Sequence, residues 1–168
     1  MKNNKLTFLA LLFYLLFSNW SVAQPAESYI DVNGVRVGTH MTSEQIATAF
    51  GEYDRHAMSD DGSLVGLDET YYFGSNSVSL MDKELYAFSV YGQGWTVLTD
   101  SFPGGLGIGT SVSVVEADIR FVLLPHPTMA SHYYLVNESS MDPSDDSYIL
   151  LEVHDNKIAG ITYQMNYW

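Results

Sequence analysis

One short glycine pattern occurs twice in the chain, and it limits the folds that the chain can adopt. Residues 34–39 read Gly-Val-Arg-Val-Gly-Thr, and residues 105–110, 71 positions later, read Gly-Leu-Gly-Ile-Gly-Thr. An internal repeat of this period indicates two similar structural units. Units of about 70 residues bury little apolar surface alone, so we expect the two to share one hydrophobic core.

Each glycine pattern is followed by residues that favour the start of a helix. Residues 42–45 (Thr-Ser-Glu-Gln) form a capping box, in which the threonine hydroxyl accepts from the glutamine amide and the glutamine side chain reaches back. Residues 113–116 (Ser-Val-Val-Glu) stand in the same place after the second pattern. We therefore predict one helix over residues 43–50 and a second that runs from about Val114 and ends before Pro125.

Alternating apolar residues after each helix predict antiparallel hairpins, because every second residue of a half-buried strand faces the core. The two hairpins are offset by 73 residues. The first has Val78 and Leu80, a turn at 82–84, and then Tyr86, Phe88 and Val90; the second has Leu151 and Val153, a turn at 155–157, and then Ala159, Ile161 and Tyr163. Earlier strands are predicted at 71–73 and 133–135, with a further strand at 94–98.

These elements predict an α+β fold of two tandem units, each a short N-terminal helix followed by an antiparallel β-meander. The two sheets would share one core and carry both helices on one face. The corresponding division is a signal peptide at 1–23, a first unit at 24–98, a linker at 99–104 and a second unit at 105–168. Together the units would form one compact domain.

The N-terminus has the order of a secretory signal peptide. Lys2 and Lys5 precede an apolar run at 6–17, and residues 21–23 (Ser-Val-Ala) supply a cleavage site. The apolar run has 12 residues, whereas a helix needs roughly 20 to span a bilayer. No cysteine follows the run to carry a lipid. We therefore expect the mature chain to be periplasmic or secreted.

The mature chain is strongly acidic. It keeps all 20 acidic residues but only five basic ones, which gives a formal charge of −15. Such a field repels polyanions, so nucleic acid and anionic membrane surfaces are disfavoured as partners. It favours a protein partner with a basic surface, although acidity of this kind also promotes solubility.

No residue pattern indicates catalysis. The chain has no cysteine and no Gly-x-Ser-x-Gly elbow. His126 and His132 are six positions apart around Pro127, which is not the spacing of a helical metal pair, and we interpret them as loop and strand-edge residues. His154 alternates with Glu152 on the outward side of a strand. No cofactor and no metal ion are expected.

Two further segments carry weak ligand patterns. The glycine run at 104–109 lacks the lysine of a phosphate-binding loop, and a turn that enters a strand explains it better. Residues 142–146 (Asp-Pro-Ser-Asp-Asp) place oxygen atoms at alternate positions, as calcium loops do. However, Ser147 and Val153 stand where such a loop needs glycine and glutamate. We interpret the segment as a solvated acidic hairpin tip.

The first helix start resembles that of two related families. Residues 37–46, followed by Phe50 and Gly51, are similar to the small outer-membrane assembly lipoproteins and to the β-lactamase-inhibitory protein, which is itself a tandem repeat. The turns at 82–85 and 155–158 resemble the same families. The inhibitor-like proteins imply a concave sheet that holds a protein partner. This chain lacks the lipidated cysteine of the first family and the disulfides of the second.

The sequence therefore favours a non-catalytic, exported protein that binds another protein, either inhibitor-like or envelope-assembly-like. Its contact surfaces would be the helix-free face of the sheet and the long loops at 52–70 and 137–147. Alternation assigns five residues to that face: Ser89, Tyr91, Glu152, Thr162 and Gln164. The candidate binding residues are Tyr91, Trp95, Asp142, Asp145, Asp146, Glu152, His154 and Gln164.

Two alternative functions stay open at this point. One is a metal-assisted envelope hydrolase that uses His126, His132 or His154 with nearby carboxylates. The other is a structural envelope component that has no discrete partner.

Overall fold

The computed structural model describes residues 30–59, 68–99, 102–118, 121–137 and 147–165. The predicted signal peptide and the acidic segment at 142–146 lie outside these residues. The described elements are β1 (Ile30–Val32), β2 (Val35–Arg36), α1 (Ser43–Phe50), β3 (Arg55–Ser59), β4 (Asp68–Phe73), β5 (Asn76–Met81), β6 (Glu84–Val90), β7 (Val97–Thr99), α2 (Val112–Glu116), β8 (Phe121–Pro125), β9 (His132–Asn137), β10 (Ser147–His154) and β11 (Lys157–Met165).

The predicted α+β class of two helix-plus-meander units is wrong, because the fold is mostly strand. Eight strands form one antiparallel sheet in the order β3-β4-β5-β6-β11-β10-β9-β8, and β2-β1-β7 form a small second sheet. The strands of the two halves join edge to edge where β6 pairs with β11. Local sequence patterns do not contain this pairing, since the period of a strand says which face is buried but not which strand lies beside it.

The first helix is confirmed in its bounds and its cap. The amide of Gln45 donates to Thr42 Oγ1 at 3.3 Å, and the Thr42 amide donates to Gln45 Oε1 at 2.8 Å. The helix ends at Gly51, which has φ +95° and donates its amide to the Ala47 carbonyl. Ile46 is buried against the core and orients the helix.

The second helix is much shorter than predicted. It covers five residues, and its N-cap is Ser111, whose hydroxyl accepts from the Ser113 amide at 3.4 Å. The expected capping box at 113–116 is therefore wrong. Residues 121–125 instead form β8, in which Leu123 pairs with Leu135. The pairing along a whole strand outweighs the weak propensity of a short β-branched helix.

The two predicted hairpins, β5-β6 and β10-β11, are confirmed. Both have two-residue turns in which each central residue has positive φ, at 49° and 70° for Asp82 and Lys83 and at 48° and 61° for Asp155 and Asn156. This conformation matches the right-handed twist of the flanking strands. Both hairpins also carry a register shift near the turn, between Ser79 and Leu80 and at the corresponding place in β10.

The repeat is also present in the backbone hydrogen bonds. In the first half the amide of Gly38 donates to the Leu85 carbonyl at 2.8 Å, and the Leu85 amide donates to the Thr39 carbonyl at 3.0 Å. The second half has the same two bonds. The amide of Gly109 donates to the Ile158 carbonyl at 2.8 Å, and the Ile158 amide donates to the Thr110 carbonyl at 2.9 Å. What recurs is a glycine-threonine turn bonded to a hairpin, and it is smaller than a complete helix-plus-meander unit.

One hydrophobic core lies on a single face of the large sheet. It contains Phe88 and Tyr163, which pair across the β6-β11 seam with ring centroids 5.5 Å apart. Ile46 of α1, Val115 of α2 and Val32 of the small sheet belong to the same cluster. Both helices and the small sheet therefore cover this face, and the alternate residues of the strands point to the other one.

The structure corrects the predicted loop at 52–70 and the predicted strand at 94–98. The loop predicted at 52–70 is wrong in part, because Arg55–Ser59 form the edge strand β3, paired with β4. The strand predicted at 94–98 begins later, at Val97, and pairs with β1 in the small sheet. Within the predicted linker at 99–104, Thr99 and Phe102 are buried.

Candidate binding face of the sheet

The helix-free side of the large sheet presents a row of side chains that crosses all eight strands. We call this side the open face and define it by two neighbouring rows. The first row is Arg55, Tyr72, Ser77, Ser89, Thr162, Leu150, Tyr134 and Leu124. The second is Ala57, Thr70, Ser79, Ala87, Gln164 and Tyr148. All of these residues are half-exposed or exposed. The predicted places of Ser89, Thr162 and Gln164 are confirmed by this register.

Side-chain size varies along the open face in a regular way. The strands β5 and β6 carry only small residues in these rows, namely Ser77, Ser79, Ala87 and Ser89. Large aromatic side chains stand towards the ends, where Tyr134 meets Tyr148 edge to face at 5.5 Å. Side chains on the open face are therefore shorter over β5 and β6 than over the strands that carry Tyr72, Tyr134 and Tyr148.

Tyr91 directly follows β6 and is held in place. The residue is 42 % exposed, yet its ring covers Gly160 so closely that a Cβ there would overlap the ring and lie 2.8 Å from Cδ1. The amides of Tyr91 and Gly92 both donate to Asn76 Oδ1, at 2.9 and 2.7 Å. Asn76 is 5 % exposed. The ring is therefore an exposed aromatic surface on a fixed backbone.

Glu152 is the carboxylate of this region. It pairs with Gly160 on one side and with His132 on the other. Its Oε1 lies 2.7 Å from His154 Nε2, and its Oε2 lies 3.8 Å from His132 Nε2. Glu152 and His154 thus lie together on the open face, as the alternation predicted.

Not every predicted binding residue joins this face. The ring of Trp95 packs on the covered side, 5.0 Å from Phe50 and 5.3 Å from Phe73. The loop after Tyr91 carries Trp95 over to the helix, where burial of a large apolar ring is favourable. Asp142, Asp145 and Asp146 lie outside the described residues.

The histidines do not form a metal centre in the part of the chain that the structure describes, where no group of three or more His, Cys, Asp or Glu residues could hold an ion. His126 Nδ1 accepts from the amides of Thr128 and Met129 at 3.2 and 3.1 Å. His132 Nδ1 lies 2.8 Å from the Ala130 carbonyl. Both rings therefore stabilise the turn between β8 and β9, which agrees with their interpretation as loop and strand-edge residues.

A polar cluster that the sequence analysis missed lies on the covered side, at the β3 edge. Tyr71 donates its hydroxyl to Glu69 Oε2 at 2.9 Å, and its oxygen lies 3.3 Å from Ser43 Oγ at the start of α1. His56 Nε2 lies 3.2 Å from the same carboxylate oxygen, and its ring stacks on Tyr71 at 4.3 Å. From the sequence one could see only that Glu69 and Tyr71 are two positions apart and therefore face the same side of a strand. The cluster ties the helix start to the edge of the sheet.

Burial raises the pKa of the Tyr71 phenol above its usual value; the hydrogen bond with Ser43 opposes this, and Glu69 adds to it. Because the folded pKa lies above the unfolded one, the phenol contributes stability below about pH 10 that is lost as pH rises through the folded pKa.

We expect the free energy of unfolding to fall less between pH 9 and 11 in Tyr71→Phe than in the wild type, as measured by urea unfolding. Tyr72→Phe, on the open face, is the control, and equal losses in both variants would contradict the assignment.

Comparisons with known proteins add little to this geometry. No protein-family model matches the sequence, and no curated protein matches it. A crystal structure of an extracellular protein containing an SCP domain, from Bacillus anthracis, is similar over 77 % of this chain, at 15 % identity and a TM-score of 0.42. The chain spans 44 % of that protein's length.

In the described residues, every helix is too short or too polar to cross a membrane.

Proposed function

We propose that the protein is an exported, non-catalytic binding protein that holds a protein partner with a basic surface on its open face. The observation that carries the proposal is a continuous row of half-exposed or exposed side chains across all eight strands, with Tyr72 and Tyr134 each one strand from its ends. Tyr148 of the second row adds a further ring beside Tyr134. Tyrosine is favoured at protein interfaces because it supplies large contact area and a polar tip.

The size of the open face fits a protein partner. Seven strand spacings of about 4.8 Å give a width of about 34 Å, and strands of about six residues give a length of about 20 Å. The product, roughly 700 Å², is close to the roughly 800 Å² that each partner buries in a stable complex. A small-molecule site would instead be a deep, enclosed pocket.

Charge favours the stated chemistry of the partner. The mature chain expected after signal cleavage has a formal charge of −15. Such a field attracts basic surfaces and speeds their encounter, while it repels nucleic acid and anionic lipid. The resemblance of the helix start to the inhibitor-like proteins supports the same use of a sheet face.

The test places an obstacle at the centre of the open face. Thr162 lies there between Leu150 and Ser89, so Thr162→Arg adds bulk and a positive charge at the middle of the contact. The mature protein, residues 24–168, is used to capture partners from envelope and culture-fluid extracts. We expect a stoichiometric partner that the Thr162→Arg variant loses and that high salt weakens.

The matched control is Thr48→Arg, which makes the same change on the exposed side of α1. It should retain the partner. Capture that survives Thr162→Arg, or that both variants lose equally, would contradict the proposal.

A further inference from the structure

We propose that Tyr91 and Glu152 together form a binding site for an arginine side chain of the protein partner; this rests on the function proposed above. Three residues lie side by side across the sheet at this point. The Tyr91 ring covers Gly160, and Gly160 pairs with Glu152. Neighbouring strands are about 4.8 Å apart, so the ring that covers Gly160 on β11 stands about one strand spacing from Glu152 on β10.

The carboxylate has capacity for a new donor. His154 occupies Oε1 at 2.7 Å, whereas the nearest ion-pair contact of Oε2 is His132 Nε2 at 3.8 Å, beyond hydrogen-bond distance. An ionised carboxylate can accept up to about four hydrogen bonds. Glu152 can therefore keep His154 and still accept a guanidinium.

The ring offers the second half of the site. Tyr91 is one of the exposed large hydrophobic residues of the described part of the chain. Elsewhere on the open face the chain makes such a contact within itself, because the guanidinium carbon of Arg55 lies 3.7 Å from the centroid of the Tyr72 ring. Among the described residues, no basic side chain stacks on Tyr91 in this way. The same cation–π contact is thus open to a partner there.

Arginine fits this pair better than lysine does. Its planar guanidinium can stack on an aromatic ring while its edge donates two parallel hydrogen bonds to a carboxylate. Lysine offers a compact, strongly hydrated charge that cannot do both. The site is also preorganised, because buried Asn76 holds the amides of Tyr91 and Gly92, so little ordering is required when the arginine enters.

The test uses the blocked peptide Gly-Ser-Arg-Ser-Gly as a probe, with its citrulline analogue as the neutral control. The mature chain is titrated at 0.15 M salt and followed by amide NMR shifts. We expect a dissociation constant on the order of a millimolar for the arginine peptide, with shifts centred on Tyr91, Glu152 and Gly160. The citrulline peptide should cause at most a fifth of these shifts.

Variants assign the binding to the two side chains. Tyr91→Leu and Glu152→Gln should each weaken the peptide at least about fivefold, and Tyr91→Phe, which keeps the ring, should bind within about twofold of the wild type. The matched controls are Tyr53→Leu, 40 % exposed on the covered side, and Glu116→Gln on α2. Equal weakening by the controls, or unchanged affinity in Tyr91→Leu and Glu152→Gln, would overturn the site.

The two proposals can fail separately. A partner that Thr162→Arg loses but that Tyr91→Leu and Glu152→Gln retain would overturn the arginine site and leave the binding face. Peptide binding at Tyr91 and Glu152 without any captured partner would support the site and overturn the proposed function.

Discussion

Replacing Phe88 with alanine is expected to lower the free energy of unfolding by about 3–5 kcal/mol. Phe88 is 2 % exposed and pairs with Tyr163 across the seam and with Val78 inside the first half. Its removal takes apolar area out of the core and leaves a cavity at the place where the two halves join. Urea unfolding of the mature chain measures the loss.

The control for this change is Ser89→Ala, one residue further along β6. Ser89 is half-exposed on the open face, so the change should alter the free energy by no more than about 0.5 kcal/mol. A loss below about 1 kcal/mol for Phe88→Ala would show that the seam is not part of a shared core.

The second large effect is expected at Gly105, in the second copy of the glycine pattern. Gly105 has φ +80°, and a Cβ there would overlap Cγ2 of Thr96 and lie 3.2 Å from Cδ2 of Leu98. A left-handed conformation costs an alanine about 1–2 kcal/mol, and the overlap adds about 1–3 kcal/mol. We expect Gly105→Ala to lose about 2–5 kcal/mol in urea unfolding.

Two other glycines separate these causes. Gly34, the matching residue of the first copy, has φ +82° with nothing within 4 Å of its Cβ position, so Gly34→Ala should lose only about 1–2 kcal/mol. Gly104 has open space and no positive φ in the left-handed region, and Gly104→Ala should be close to neutral. Equal losses at Gly34 and Gly105 would show that Thr96 does not pack as described.

Local elements could be predicted because their determinants are adjacent in sequence. The first helix was correct because Thr42 and Gln45 satisfy each other's amides over one turn. The hairpins were correct because Asp82, Asp155 and Asn156 tolerate the positive φ that two-residue turns require. The second helix failed although its residues resembled a cap, because 121–125 pair with β9 instead.

The architecture could not be predicted, because it depends on contacts between distant residues. Nothing in the pattern of β6 names β11 as its neighbour, yet that pairing turns two hairpin regions into one sheet. In the candidate site, too, contacts between distant residues could not be predicted. Alternation placed Glu152 and Gln164 on the open face, but it could not show that the ring of Tyr91 fills the space above Gly160 or that Trp95 packs on Phe50.

Site-specific crosslinking shows whether the open face is the binding surface. The sequence has no cysteine, so Thr162→Cys and Thr48→Cys each supply one attachment point for a photoactivated benzophenone. Each labelled mature chain is irradiated in envelope and culture-fluid extracts. We expect one discrete protein adduct from position 162 and none from position 48. No adduct from position 162, or the same adduct from both positions, would contradict the proposed binding surface.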